Sequence, residues 1–72
     1  MNMHVVESSN VAAVGYDSDA KQLHVVFKKD GARWVYSGIT PELSAAFMSA
    51  ASIGSFLRKS IIPAATSAAK QV

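Results

Sequence analysis

The chain contains no cysteine. Disulfide staples, thiolate zinc sites and nucleophilic-cysteine chemistry are thereby excluded. Imidazole is scarce as well, with two histidines in 72 residues. Long hydrophobic runs are missing: the longest apolar stretches fall far short of the roughly 18 residues that a membrane helix needs. The opening MNMHVVESSN has no basic segment leading into a long apolar run, so no signal peptide is expected. These absences lead to the expectation of a soluble domain in a reducing cytoplasm, with no membrane partner. Seventy-two residues suit one domain. At this size an unstapled core supplies only ~3–5 kcal/mol of net stability.

Charge of one sign is also in short supply. Seven Lys and Arg face five Asp and Glu, a formal net charge of +2. A protein contacting ~6–10 phosphates needs most of that many cations on one face. Here they are scattered along the chain as Lys21, Lys28, Lys29, Arg33, Arg58, Lys59 and Lys70. The composition therefore argues against tight, sequence-independent nucleic-acid binding.

What is present is strand-like at first and helical later. Val11–Tyr16, Gln22–Lys28 and Ala32–Tyr36 are rich in β-branched and aromatic residues, and Asp/Gly turn clusters separate them. Thr40-Pro41-Glu42 then forms a helix start: Thr40 can cap, Pro41 has its φ preset, and Glu42 complements the dipole. Leu43, Ala46, Phe47 and Ala50 recur at helical spacing. After a break near Ser52-Ile53-Gly54, a second helix carries Phe56, Leu57, Ser60 and Ile61, and Pro63 is expected to end it. The expected fold is α+β, a three-stranded antiparallel β-meander followed by two helices packed on one sheet face. The domain is expected to span residues 1–62. Residues 63–72, with no large apolar side chain before the last valine, are expected to be a flexible tail.

The stretch KKDGARWVY, Lys28 to Tyr36, interleaves cations with aromatics, which can signal a nucleic-acid surface. Taking Asp30-Gly31 as a two-residue hairpin loop predicts Lys28 opposite Arg33 and Phe27 opposite Trp34. Alternation then places Leu23, Val25, Phe27, Trp34 and Tyr36 on one face, and His24, Val26, Lys28, Arg33 and Val35 on the other. The apolar set is expected to be core, against Leu43, Phe47, Phe56 and Ile61. Aromatics and cations thus fall on opposite faces, which disfavours a stacking groove. The cationic face is either merely solvated or meets an acidic, partly apolar partner through Lys28, Lys29, Arg33 and Val35.

Catalytic patterns are missing. His4 and His24 are expected at the surface, with no carboxylate arranged beside them. Asp17-Ser18-Asp19 resembles the start of a calcium loop, but the Gly and Glu that complete such a loop do not follow; it reads as a hairpin turn. Ser8-Ser9 has no nucleophile-elbow context, and no phosphate loop is present. A non-enzyme without metal or cofactor is expected.

The segments VESSNVAAVGYD, LHVVF, WVYSGITPE and AFMSAASIGSFL, with the late Ile61, resemble the KTSC domain, named after a stretch at the C-terminus of some lysyl-tRNA synthetases. The family's Tyr-x-Tyr motif would fall on Trp34-Val35-Tyr36, with Trp in place of the first Tyr. Ile62 stands where members tend to carry Arg. The resemblance implies RNA binding, with Arg58 and Lys59 joining Lys28, Lys29 and Arg33. A free-standing chain of this size also resembles small phage-encoded proteins that bind host RNA polymerase and regulate transcription. That implies a non-enzymatic, monomeric protein-binding module that inhibits RNA polymerase in a host bacterial cytoplasm. Its partner-binding candidates add the apolar arm Met3, His4, Val5 and Val6, taken as mobile.

Overall fold

The computed structural model describes residues 2–71, which form an antiparallel sheet of five strands covered on one face by helices. The strands are β1 (His4–Val5), β2 (Val11–Asp17), β3 (Gln22–Phe27), β4 (Arg33–Ser37) and β5 (Ser67–Gln71), side by side in chain order. The α+β class is as expected, but there are five strands rather than three. Both additions are edge strands, whose backbone can pair without large apolar side chains. The arm expected to be mobile contributes β1, with Val5 opposite Ala13, and Val6 N–H donates to the Ala12 carbonyl at 3.2 Å. Beyond Pro63, the segment expected to be a flexible tail pairs along the whole of β4, from Arg33–Gln71 to Ser37–Ser67.

The hairpin between β3 and β4 differs from its expected register. Leu23 faces Tyr36, Val25 faces Trp34 and Val26 faces Arg33, so the expected Lys28–Arg33 pair does not form. A two-residue type I′ turn needs positive φ at both central positions. Only Gly31 adopts it, at +69°, and Asp30 instead accepts a hydrogen bond from Ala32 N–H at 3.0 Å. Phe27 N–H closes the loop on the Ala32 carbonyl at 3.0 Å, which leaves Lys28 to Gly31 as the turn. The slip is two residues, an even number, so every side chain on the strands keeps its face.

In β2 the register shifts between Val11 and Ala13, a bulge. Val11 and Val14 are three apart and belong on opposite faces of a regular strand; the bulge sets both fully buried. With Leu23, Val25, Tyr36, Ile39, Phe47, Ile53, Leu57 and Ile61 they form the core. The expected core residues Phe27, Trp34, Leu43 and Phe56 are half-buried against it. Phe47 and Phe56 pack with ring centroids 6.0 Å apart.

Helix α1 (Pro41–Met48) begins as expected, with Thr40 Oγ1 accepting from Leu43 N–H at 3.1 Å. Its buried residues are Ser44 and Phe47, and Ala46 is exposed, so the inward stripe is rotated from the expected one. The second helical stretch starts at Ser52, whose hydroxyl accepts from Ser55 N–H, and runs as α2 (Ile53–Phe56), a π turn (Leu57–Ile61) and α3 (Ile62–Ala64). Pro63 does not stop it but widens it. Proline has no N–H and its ring crowds the carbonyl four residues back, so the turn before it relaxes to five-residue bonding. Ile62 N–H accordingly reaches the Leu57 carbonyl.

Candidate functional site

The turn end of the β3–β4 hairpin, the loop before β2 and the π turn line a groove of about 480 Å³. Phe27 and Trp34 form its aromatic wall, and Leu57 and Ile62 face them from the helix. Lys28, Lys29 and Arg58 stand on the rim with Asp30, while Ser9 and Asn10 close one end. Five-residue bonding stacks positions five apart on one side of a helix, which is how Leu57 and Ile62 share this wall. Leu57 is anchored in the core, and Ile62 is 46 % exposed. The size and the mostly apolar lining with a few convergent polar groups are those of a ligand or anchor site. A smaller cup of about 170 Å³, lined by Glu7, Ser8, Ser52 and Ser55 among others, adjoins it and shares Ser9, Asn10, Gly54 and Arg58.

The structure gathers some of the expected partner-binding residues and separates the others. Lys28, Lys29 and Arg58 come together at the groove, joined by Trp34 and Phe27 from the expected core. Arg33 and Val35 lie on the opposite, open face of the sheet with Val26 and Val5, and Val5 is 90 % exposed. Lys59 is exposed outside the groove, His4 is exposed on β1, and Val6 is half-buried against the core. The expected separation of aromatics from cations therefore holds for Arg33 but fails for Lys28 and Lys29, because the longer loop carries them to the aromatic side. Asn10, Leu57 and Ile62 were not among the expected partner-binding residues; the one sequence signal was at Ile62, which stands where family members tend to carry Arg.

His24 is not at the surface as expected. It is 7 % exposed, and its Nδ1 is buried without a hydrogen-bond partner. Gly15 lies directly across from it, and the Met3 thioether covers Gly15: a Cβ there would meet Met3 Sδ at 2.5 Å. Burial lowers the His24 pKa below 6.5, the Arg33 charge lowers it further, and Asp17 opposes both. Burial also raises the tyrosines, Tyr16 with help from Glu42 and Asp17, and Tyr36 by burial alone. Tyr16 Oη–H donates to the Ile39 carbonyl and ties β2 to the crossover into α1. Asp17 Oδ1 accepts from Asp19 N–H at 3.1 Å and from Ala20 N–H at 3.3 Å, the arrangement of a hairpin turn. Among the described residues no group of three or more His, Cys, Asp or Glu is placed to hold a metal, and no helix is long and apolar enough to cross a membrane.

None of the curated proteins matches the chain. Among solved structures it is similar to a KTSC domain protein from Yersinia pestis, known by its crystal structure. The two share 30 % identity at a TM-score of 0.90, over 99 % of this chain and 97 % of that one. The model of the KTSC domain matches residues 7–64, from the loop before β2 to the end of α3, a span that holds the whole groove. On that match and the shared fold, the chain belongs to the KTSC domain family.

Proposed function

We propose that this chain is a non-enzymatic protein-binding module whose groove takes an apolar anchor flanked by acidic residues of its partner. Its resemblance to small phage-encoded regulators supports bacterial RNA polymerase as that partner, with inhibition of transcription as the proposed outcome. The observation that carries the reading is the lining: Phe27, Trp34, Leu57 and Ile62 form an apolar slot, and three cations against one carboxylate ring it. Such a slot fits a desolvated side chain better than a polyanion, since binding hot spots are apolar anchors in enclosed pockets. Ile62 sharpens the point. The position at which the resemblance implies arginine is one of the groove's own walls, so the substitution exchanges a phosphate contact for an apolar one.

A second reading, single-stranded RNA, is favoured by one observation: Trp34 and Phe27 share the groove with Lys28, Lys29 and Arg58. The variant Ile62→Arg separates the two. Its side chain is nearly half exposed, so the fold is expected to tolerate the change within about 0.5 kcal/mol. Titrating purified bacterial RNA polymerase, and following its transcription in vitro, is expected to show inhibition by the parent chain and its loss in Ile62→Arg. The opposite outcome, no polymerase binding and tighter RNA binding by Ile62→Arg, moves the RNA reading ahead. RNA held by three cations would also show a salt slope of roughly −2, at ~−0.7 per contact.

A further inference from the structure

The two edges of the sheet are unequal. β1 is two residues long, whereas β5 runs for five, all exposed. Long open edges in soluble proteins are normally blunted by proline, a bulge or several charges. β5 is SAAKQ: it has no proline, and Lys70 is its only charge.

Hydrogen-bond phase shows which of its groups are free. Phe27 N–H donates to the Ala32 carbonyl, so these two residues form a hydrogen-bonded pair. Such pairs recur at every second residue, which makes Val25–Trp34 and Leu23–Tyr36 hydrogen-bonded as well. The backbone groups of Trp34 and Tyr36 therefore point to β3, and those of Arg33, Val35 and Ser37 point to β5. Their partners Gln71, Ala69 and Ser67 face inward. The N–H and C=O groups of Ala68 and Lys70 are left on the free edge.

We propose that this edge pairs with β5 of a second copy of the chain, antiparallel and centred on Ala69. A two-fold arrangement must be self-complementary. In this register Ala68 of each copy exchanges two hydrogen bonds with Lys70 of the other, so both free residues on each edge are satisfied. Lys70 lies opposite alanine, and no like charges meet. Centring on Lys70 instead would oppose two lysines, which is unfavourable. The product is a continuous sheet of ten strands with both helical layers, and both grooves, on one side. Ala69 of the two copies meets on the open face, where its intrachain neighbour is Val35.

Sedimentation equilibrium of the full chain from micromolar to millimolar concentration tests this. The expected result is a monomer–dimer equilibrium. Ala68→Pro removes only an outward N–H and is expected to abolish the dimer, with circular dichroism confirming the folded state. As a second test, Ala69→Lys and Ala69→Glu each place like charges across the two-fold and are expected to weaken association about fivefold. Mixing those two variants in equal amounts is expected to restore it. A chain that stays monomeric at millimolar concentration overturns the proposal. So does a dimer indifferent to Ala68→Pro, or one that the mixed charge pair fails to restore.

Discussion

The two faces of the sheet are made from alternate residues of the same strands and have opposite fates. Under the helices, Leu23 and Val25 are fully buried and Tyr36 nearly so. On the other face, Val26, Arg33 and Val35 remain half-exposed, with no helix above them. His24 is the exception, an ionisable ring buried on the open side beside Gly15, against which Met3 and Asn2 pack. The difference teaches where stability resides. Neighbouring positions one residue apart contribute either to the single core or to surface, so the consequences of mutation should alternate along each strand.

The largest expected effect lies under the helices. Phe47→Ala removes a fully buried ring, at a cost of about 3–5 kcal/mol. That matches the ~3–5 kcal/mol a core of this size supplies, so thermal melts by circular dichroism should find the variant largely unfolded. Val35→Ala on the open face should cost about 0.5 kcal/mol in the same assay. Equal losses at the two positions would mean that the open face is covered in solution.

Gly15→Ala comes next, because its methyl would intrude on the N-terminal arm at Asn2 and Met3. The added methyl would sit 2.5 Å from Met3 Sδ and 2.8 Å from the Asn2 carbonyl, so the arm must lift. A cost of about 1–3 kcal/mol is expected, with faster amide exchange at Val6, whose N–H is held by Ala12. His24 supplies a smaller, pH-dependent effect. Its folded pKa lies below 6.5, so the unfolded chain binds its proton first. Stability should therefore be complete above about pH 6.5 and should fall as the pH drops from there toward the folded pKa. Denaturant melts from pH 7.5 to 5 should show that decline, and His24→Leu should flatten it. The smallest effect distinguishes adjacent cations. Arg58→Ala should weaken partner binding while Lys59→Ala leaves it unchanged, both with melting free energies within about 0.5 kcal/mol of the parent. Equal losses of affinity would extend the interface beyond the groove.

Much of the scaffold was legible in the sequence, for reasons that also explain what was not. The facing of Leu23, Val25, Trp34 and Tyr36 follows from alternation, which survives any even slip in register. The slip itself was hidden, because Asp30 satisfies its loop through a side-chain hydrogen bond that competes with the two-residue turn. That miss mattered most at the site, since the loop carries Lys28 and Lys29 to the groove. The edge strands escaped notice because backbone pairing leaves little trace in residues such as Ser67, Ala68 and Ala69. His4 and His24 look alike in the sequence. What separates them is the Met3 side chain folded over Gly15, a contact between residues twelve apart.

The wide turn from Leu57 to Ile61 amounts to a phase slip of one residue within an otherwise ordinary helix. Upstream of it, the sequence keeps step with the core through Ile53 and Leu57; downstream, the count restarts. A helix that lost one residue inside this turn would regain regular spacing and remain a helix. Leu57 and Ile62 would then stand four apart and share one face, as such positions do in an α-helix, so the residues after the deletion would keep their facing. Ile62 would therefore stay on the wall it shares with Leu57; it would swing off only if the turn closed to four-residue bonding with all its residues kept, by about 100°, the angle one residue subtends in an α-helix. The shape of the cavity thus rests on one extra residue held in a wide turn, and a substitution of Pro63, which widens that turn, would remove its support.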